Sequence, residues 1–387
     1  MQPRKETEKL FTPNENTASI MSDQRPIPDP GTSPETLRER ARALPMRVAT
    51  ATFVTPTDER LRFIRQMGVT DIILWGTTFR SPRNPGGGAV SFKELLSLRN
   101  QAEAHGLRVF AVETLPIQSY DKLIFGEEGR EQQLQHYIET IRNTGRAGIP
   151  VLGYNWMPQG VWRTTLSAPL RGGASSTGFA YAEAANAPLI RGRRFTEEEC
   201  WDNYAWFLER VLPVAEDEGV TLAAHPNDPP VESLGGVPCL LRSRANFDKA
   251  LSIRPSKNHG LCFCLGNWTE MGEDVFDAIR HYGKQDKLIY VHFQAVRGRV
   301  PRFHETFVDE ADYDAWALIR AFNEAGFKGV MIPGHVPEME GDEAWRTKES
   351  IENTPYYHPM GGYRGRALTV GYLRGLLHAL NGKPSHD

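Results

Sequence analysis

Eight repeats of one pattern constrain the fold of this chain more than any other feature. A short, almost continuously apolar run is followed each time by an amphipathic, helix-like segment, and the runs are MRVATAT, TDIILWG, LRVFAVE, IPVLGYNW, VTLAAHP, HGLCFCLG, KLIYVHFQ and GVMIPGH. Strands of this kind are typical of parallel sheets whose faces are covered by helices. Eight such units predict an α/β fold, a single-domain (β/α)8 TIM barrel. An open doubly wound sheet is the alternative, which the lack of a Gly-x-Gly-x-x-Gly loop after the first run disfavours.

The barrel is expected to span residues 46–381, with two additions. Residues 1–45 are polar and predict a poorly ordered or partly helical arm, with one short helix in SPETLRERARAL. Residues 164–194 form an insertion after the fourth strand that is too long for an ordinary connection. Because this insertion leaves the carboxyl end of a barrel strand, it is interpreted either as a lid over the active site or as a mobile surface loop.

Composition narrows the class of protein. The 387 residues are 40% hydrophobic and 24% charged, as in ordinary globular proteins, and the net charge of −3 favours neither nucleic acid nor an anionic membrane as a partner. No apolar run approaches the roughly 18 residues of a spanning helix, and the amino terminus lacks a secretory signal. Four cysteines are too few for a disulfide framework. We therefore expect a cytoplasmic protein that acts on a small molecule, and a homo-oligomer stays an open alternative to a monomer.

Histidine and cysteine residues recur at the predicted carboxyl ends of the later strands, where the active sites of barrel enzymes lie. His225, Cys264, His292 and His335 end strands five to eight. An isolated histidine is more often structural, but ligands placed one per strand suit an open catalytic site for a borderline divalent metal such as Mn2+, Fe2+, Co2+ or Zn2+. We expect only one of Cys262 and Cys264 to face the barrel, and we choose Cys264 because it lies nearer the strand end.

Further polar residues follow other strands and their loops. Arginine side chains bind carboxylates at two points, so the loop RGRVPRFHETF after the seventh strand indicates a substrate contact, with a solvated basic loop as the alternative. The Gly-rich stretch YYHPMGGYRGR after the eighth strand brings Tyr356, Tyr357 and Tyr363 to the same end. The candidate substrate-binding residues are Glu113, Asn155, Trp162, Arg163, Arg297, His304 and Glu305.

Several of these segments resemble a known family. VETLPI, YNWMP, VWRT, AAHPNDPP, GLCFCLGN, YVHFQ, RFHE and IPGH resemble the mannonate dehydratases of the xylose-isomerase-like barrel superfamily, from about the second strand to the last helix. The resemblance implies dehydration of an aldonate, D-mannonate, to 2-keto-3-deoxygluconate with Mn2+ or Fe2+. It also implies that His225, Cys264 and His292 bind the metal.

The chain departs from the family pattern at two positions. The family places an aspartate ligand directly before the histidine of strand eight, whereas this chain has Gly334 before His335. A family tyrosine thought to assist proton transfer aligns with Ala367, and Tyr363 lies a few residues upstream. His335, Glu113 or Glu305 are the alternatives for a replacement ligand. A different sugar substrate and a catalytically inactive relative are also open alternatives.

The site residues predict a reaction type. Proton abstraction next to a carboxylate creates an enolate-like charge that a divalent metal stabilises, and a base and an acid complete the loss of the β-hydroxyl. We expect a hydro-lyase in which His335 acts as base or acid with Tyr363 as its partner, while the arginines around Arg297 bind the carboxylate. The alternatives are a metal-dependent sugar isomerase or epimerase and a metal-binding pseudoenzyme; a metal-dependent endonuclease is disfavoured by the few carboxylates.

Overall fold

The computed structural model describes residues 34–52, 56–75, 88–342 and 361–382. Its strands are β1 (Arg47–Ala51), β2 (Asp71–Trp75), β3 (Arg108–Glu113), β4 (Val151–Asn155), β5 (Thr165–Pro169), β6 (Ser175–Ala180), β7 (Thr221–His225), β8 (Ser233–Leu234), β9 (Val237–Pro238), β10 (His259–Cys264), β11 (Leu288–His292), β12 (Val296–Arg299), β13 (Arg302–Glu305) and β14 (Val330–Ile332). Eight of them close a parallel barrel in the order β1-β14-β11-β10-β7-β4-β3-β2. The predicted (β/α)8 barrel is confirmed, and each predicted apolar run contains one barrel strand.

Helices follow the barrel strands and cover them. They are α1 (Pro34–Arg42), α2 (Asp58–Gln66), α3 (Phe92–Ala104), α4 (Asp121–Phe125), α5 (Arg130–Arg146), α6 (Tyr181–Ala184), α7 (Glu197–Asp217), α8 (Arg244–Ile253), α9 (Leu265–Met271), α10 (Val275–Lys284), α11 (Ala315–Glu324) and α12 (Tyr363–Asn381). Serine, threonine or aspartate side chains accept a backbone N–H from the first turn of α2, α3, α7, α8, α10 and α11, which satisfies donors that a helix start leaves free.

The hydrophobic core has two parts, one between the strands and the helices and one inside the barrel. Large aliphatic and aromatic side chains such as Leu61, Leu208 and Phe322 are fully buried between the strands and the helices. The barrel interior is filled by smaller residues such as Ala49 and Ala223 together with a few large rings. Small interior residues leave room for polar side chains at the carboxyl ends of the strands, which is where the candidate site lies.

The insertion at residues 164–194 contributes regular structure. Its strands β5 and β6 join β12 and β13, which follow the seventh barrel strand, in a four-stranded antiparallel sheet. An isolated bridge between Ser175 and Glu338 connects this sheet to the segment after β14. The sheet therefore links loops that leave the carboxyl ends of three barrel strands. The interpretation of the insertion as a lid stays a prediction.

The amino-terminal segment is described in part. Helix α1 lies within the stretch where the sequence predicts a short helix. The rest of the predicted arm, residues 1–33, lies outside the described residues. Among the helices described, none has the length and apolar character to cross a membrane.

A buried carboxylate ties three strands together at the amino end of the barrel. Asp71, at the start of β2, accepts hydrogen bonds from Arg47 of β1 at 2.9 and 3.0 Å and from Arg108 of β3 at 2.8 and 3.2 Å. Burial alone would raise the pKa of Asp71, but the two guanidinium groups outweigh it and lower the pKa to about 2. Asp71 is therefore ionised in the folded protein at neutral pH.

Asp71→Asn should destabilise the protein at pH 7 and not at low pH. Because the folded pKa of about 2 lies below the unfolded value of about 3.9, the carboxylate contributes about 2–3 kcal/mol above roughly pH 5, and the contribution is lost as the pH falls towards 2. Urea unfolding of variant and parent across this range measures the difference. Glu131→Gln, which removes an exposed partner of Arg130, is the control and should change stability little. Equal stability of parent and Asp71→Asn at pH 7 would contradict the role of this ion pair.

Candidate active site

Four buried side chains converge inside the barrel from β3, β7, β10 and β11. They are Glu113, His225, Cys262 and His292, and one potential ligand atom from each lies within 4.8 Å of those of the others. Glu113 Oε2 lies 3.0 Å from His292 Nε2, and His225 Nε2 lies 3.3 Å from His292 Nδ1. We call these four residues the deep cluster.

Local sequence explains how these groups fit in a crowded barrel. Gly153 of β4 is paired with Glu113, and a Cβ at this glycine would collide with the hydroxyl of Tyr290 and lie 3.0 Å from Cγ of Glu113. A glycine is therefore required here, because both neighbours occupy the space of its missing side chain. Two residues further along β4, Asn155 pairs with His225 of β7, so the predicted substrate residue Asn155 lies beside the cluster.

Burial sets the protonation of the deep cluster. Burial and the neighbouring His292 lower the pKa of His225 to about 4, so its imidazole is neutral. Its Nδ1 lies 2.7 Å from the carbonyl oxygen of Pro226, which only accepts, so the Nδ1–H donates there and the Nε2 lone pair faces the cluster. Burial would raise the pKa of Glu113, but His292 outweighs it and holds the pKa below its usual range.

The deep cluster fits a divalent metal. Burial raises the pKa of the Cys262 thiol, which a bound metal would deprotonate. Oxygen Oε1 of Glu113 is buried and has no hydrogen-bond partner in the part of the chain that the structure describes, which is costly unless a cation or ligand contacts it. Two imidazoles, one thiol and one free carboxylate oxygen form a donor set that suits a borderline divalent metal.

The structure places the two cysteines of β10 differently from the prediction. Residues two apart in a strand point to the same side, so the expectation that only one of Cys262 and Cys264 faces the barrel is wrong. Cys262 belongs to the deep cluster, whereas Sγ of Cys264 lies 3.7 Å from Oε1 of Gln294. The structure thus brings together the predicted ligands His225 and His292 and joins them to Cys262 in place of Cys264.

His335 lies beyond β14 and is held by a carboxylate. Its Nδ1 is 2.5 Å from Oε1 of Glu305, and its backbone N–H donates to Oε1 of Gln294 at 3.2 Å. Burial would raise the pKa of Glu305, but His335 and Arg163 outweigh it and hold the pKa far below its usual range. An ionised carboxylate only accepts, so the Nδ1–H of His335 donates to it and Nε2 is left for a substrate.

A buried ion network surrounds this carboxylate. Arg163 donates to both oxygens of Asp228, at 2.5 and 2.8 Å, and to Oε1 of Glu305 at 2.7 Å. The side chains of Arg163, Asp228 and Glu305 are only 1%, 2% and 1% exposed. Arg163 and Glu305 are thus engaged with protein groups rather than lining a substrate wall, which corrects their predicted role. Asp228 was not among the predicted site residues, although it belongs to the HPNDPP motif.

Other predicted residues lie away from the strand ends. Arg297 of β12 is exposed and donates from Nε to the backbone of Glu310 at 2.6 Å. The ring of Tyr363 packs edge to face on Phe63 of α2 at 5.5 Å, on the helical side of the barrel. The structure therefore does not bring Tyr363 next to His335 as the predicted partner, nor does it bring Arg297 to the site.

The remaining predicted residues belong to the loop after β14 or lie at the four-stranded antiparallel sheet of β5, β6, β12 and β13, which we call the outer sheet. Trp162 packs half-buried against the small apolar cluster that contains Phe179 and Phe303. His304 pairs with Gly178 across β13 and β6 and is partly exposed. Their predicted contacts with a substrate stay predictions. Tyr356 and Tyr357 lie outside the described residues.

Comparison with known proteins decides the family. The family model described as D-mannonate dehydratase (UxuA) matches residues 46–192 and 187–386. The chain belongs to the mannonate dehydratase family. The chain is 28% identical over 323 residues to Mannonate dehydratase 2 of Halalkalibacterium halodurans, and the matched region covers 76% of this chain and 89% of that protein. It is 27% identical over 336 residues to the mannonate dehydratase of Thermotoga maritima, covering 77% and 88%.

Solved structures agree with this family membership. The crystal structure of mannonate dehydratase from Streptococcus suis matches with a TM-score of 0.76 and 26% identity, covering 89% of this chain and 97% of that one. A xylose isomerase domain protein from Alicyclobacillus acidocaldarius, 15% identical with a TM-score of 0.53, shares the fold. The predicted resemblance to the mannonate dehydratase family is confirmed. The family implies a divalent metal, and the deep cluster is a group suited to hold one.

Arg163→Met should strongly destabilise this mannonate dehydratase family member. The change leaves Asp228 and Glu305 buried without a cation, which typically costs about 3–5 kcal/mol. Arg171→Met is a matched control, because Arg171 also pairs at two points with an aspartate, Asp309, and lies over a phenylalanine ring, but its side chain is 43% exposed. Its loss should cost less than about 1 kcal/mol. Denaturant unfolding measures both, and equal losses would contradict the importance of burial.

Proposed function

We propose that this chain is a metal-dependent hydro-lyase that converts a sugar acid of the D-mannonate type into a 2-keto-3-deoxy acid. Membership of the mannonate dehydratase family supports the reaction class. The observation that carries the proposal is the 2.5 Å contact between His335 and Glu305 at the same end of the barrel as a metal-type cluster. The same resemblance favours Mn2+ or Fe2+, and the four free cysteines favour a cytoplasmic location.

The residues at the strand ends can perform the proton chemistry. Abstraction of the hydrogen at C2 of an aldonate leaves negative charge shared with the carboxylate, and a divalent metal held by the deep cluster would stabilise that charge as a Lewis acid. Glu305 holds the Nδ1–H of His335, so Nε2 is free to take the C2 proton. The imidazolium that forms is stabilised by the same carboxylate. Arg163 keeps Glu305 ionised throughout.

The overall reaction loses one water and needs no oxidant. The C2 proton passes to the base, the bond from C3 to its hydroxyl breaks, and the hydroxyl leaves with a proton as water. The resulting enol takes up a proton at C3 and becomes the 2-keto acid. The side chains of the deep cluster are nearly fully buried, which excludes bulk water and strengthens electrostatic interactions with the developing charge.

The glycine at position 334 favours a second candidate function. This chain lacks the aspartate that the family resemblance implies there, which leaves room for a different reaction after the same proton abstraction. Return of a proton to the opposite face of C2, with the C3 hydroxyl retained, would make the chain a metal-dependent sugar isomerase or epimerase. The two functions share the base and the metal-type cluster. They differ in whether the hydroxyl at C3 leaves.

Product analysis in D2O separates the two functions. The protein is incubated with Mn2+ or Fe2+ and D-mannonate, and with a panel of related aldonates. A dehydratase gives a product lighter by one water, with deuterium from solvent at C3. An epimerase leaves the mass unchanged apart from deuterium at C2. No turnover of any aldonate by metal-loaded protein would support a pseudoenzyme and reject the proposal.

His335→Ala should abolish most turnover and leave metal binding intact. Loss of a positioned base typically lowers kcat by about 100- to 10,000-fold. Steady-state kinetics and elemental analysis of the same preparation measure the two quantities. His378→Ala, which removes an exposed histidine of α12, is the control and should retain full activity. Loss of the metal together with activity would show that His335 is a ligand rather than the base.

A further inference from the structure

The side chain of Gln294 fills the space beside Gly334. A Cβ at Gly334 would lie 2.7 Å from Cβ and 2.9 Å from Oε1 of Gln294, and a Cβ at Gly266 would lie 2.7 Å from its Nε2. Distances below 3.0 Å require something to move, so both glycines are needed for Gln294 to lie where it does. An aspartate at position 334 would collide with this side chain.

Gln294 also engages the groups around it. Its Oε1 accepts from the backbone N–H of His335 at 3.2 Å and lies 3.7 Å from Sγ of Cys264, which is in range for a weak S–H donor. A neutral amide thus contacts the cysteine that the family resemblance makes a ligand. It also occupies the space of the aspartate that this chain lacks.

The deep cluster supplies the charge that Gly334 cannot. Glu113 is completely buried, and among the residues that the structure describes its Oε1 has no hydrogen-bond partner. Cys262 lies two residues deeper in β10 than Cys264, which corresponds to about 6.6 Å along a strand. An imidazole binds a metal as a neutral ligand, so the Glu113 carboxylate and a Cys262 thiolate would balance the two charges of a divalent ion.

We propose that this chain holds its divalent metal with Glu113, His225, Cys262 and His292, deeper in the barrel than Cys264, and that Gln294 closes the position left by the missing aspartate. The inference rests on the proposed function only for the presence of a divalent metal. Metal binding can be measured without turnover, so failure of the hydro-lyase activity and failure of this ligand set are distinguishable.

Cobalt binding by the metal-free, full-length protein tests the ligand set. Co2+ bound to a thiolate absorbs in the near ultraviolet, so titration gives both the affinity and the presence of a sulfur ligand. Cys262→Ser should lose the thiolate band, and Glu113→Gln should keep it. Each should weaken binding by about 100-fold or more, since loss of even an outer-shell partner costs about 10- to 100-fold.

Cys264→Ser is the matched control, because it changes the same atom two residues along the same strand. It should keep both the band and the affinity of the parent. The proposal is overturned if Cys264→Ser loses the band while Cys262→Ser keeps it, or if the folded parent binds no Co2+. Cys262→Ala is a second variant in case the serine hydroxyl is not tolerated in the buried site, and circular dichroism verifies the fold of each protein.

A pair of variants tests the role of Gln294. Gly334→Asp alone should lower the melting temperature, because the new side chain meets Cβ and Oε1 of Gln294. Adding Gln294→Gly should restore stability to a large extent, since it removes the colliding atoms. A Gly334→Asp protein as stable as the parent would overturn the claim that Gln294 closes this position.

Discussion

The buried guanidinium of Arg163 is the interaction on which the arrangement of the strand ends depends. It neutralises two carboxylates that are almost fully buried, one following β7 and one on the outer sheet. Taking such charges out of water costs several kcal/mol each, and for Glu305 the neighbouring His335 and Arg163 outweigh that cost and hold its pKa far below the usual range. Glu305 in turn fixes the ring of His335. Arg163 lies in the sequence between β4 and the insertion, and it acts through Glu305 on the tautomer of His335, which follows the last barrel strand.

Side chains that are absent matter as much at this site as those that are present. Gly153 leaves the space that Tyr290 and Glu113 occupy, and Gly266 and Gly334 leave the space of Gln294. Because a barrel interior is closely packed, these large polar side chains fit only where a neighbouring residue has no Cβ. The deep cluster and the mouth of the barrel are therefore specified by three glycines on three different strands or strand ends. Replacing one of them changes which polar atoms can meet.

The sequence predicts the barrel well because strand burial has a local signature, and it predicts side-chain partners poorly because they are not local. Each apolar run contained a strand, and His225 and His292 meet because parallel strands end on one side. Cys262 was not predicted as a ligand because it and Cys264 point to the same side of β10 and differ only in how deep in the barrel they lie. Arg163 fits a substrate carboxylate and a protein carboxylate equally well in sequence, and only the fold shows Asp228 opposite it.

The family's aspartate is replaced by Gly334 in this chain. This replacement can be explained by comparing the anionic groups among all the potential metal ligands at this end of the barrel. The family resemblance implies two anionic ligands, one cysteine and one aspartate, and the deep cluster again contains one thiol and one carboxylate. Glu113 comes from the third strand instead of the eighth, so the count of charges is kept while the position of the carboxylate changes. A carboxylate on the third strand leaves the space beside Gly334 to neutral atoms of Gln294, while the Glu305 carboxylate that contacts Nδ1 of His335 is paired with Arg163. An anionic substrate would then approach the base without repulsion from a neighbouring ligand carboxylate at position 334, which makes Gly334 consistent with retained catalysis.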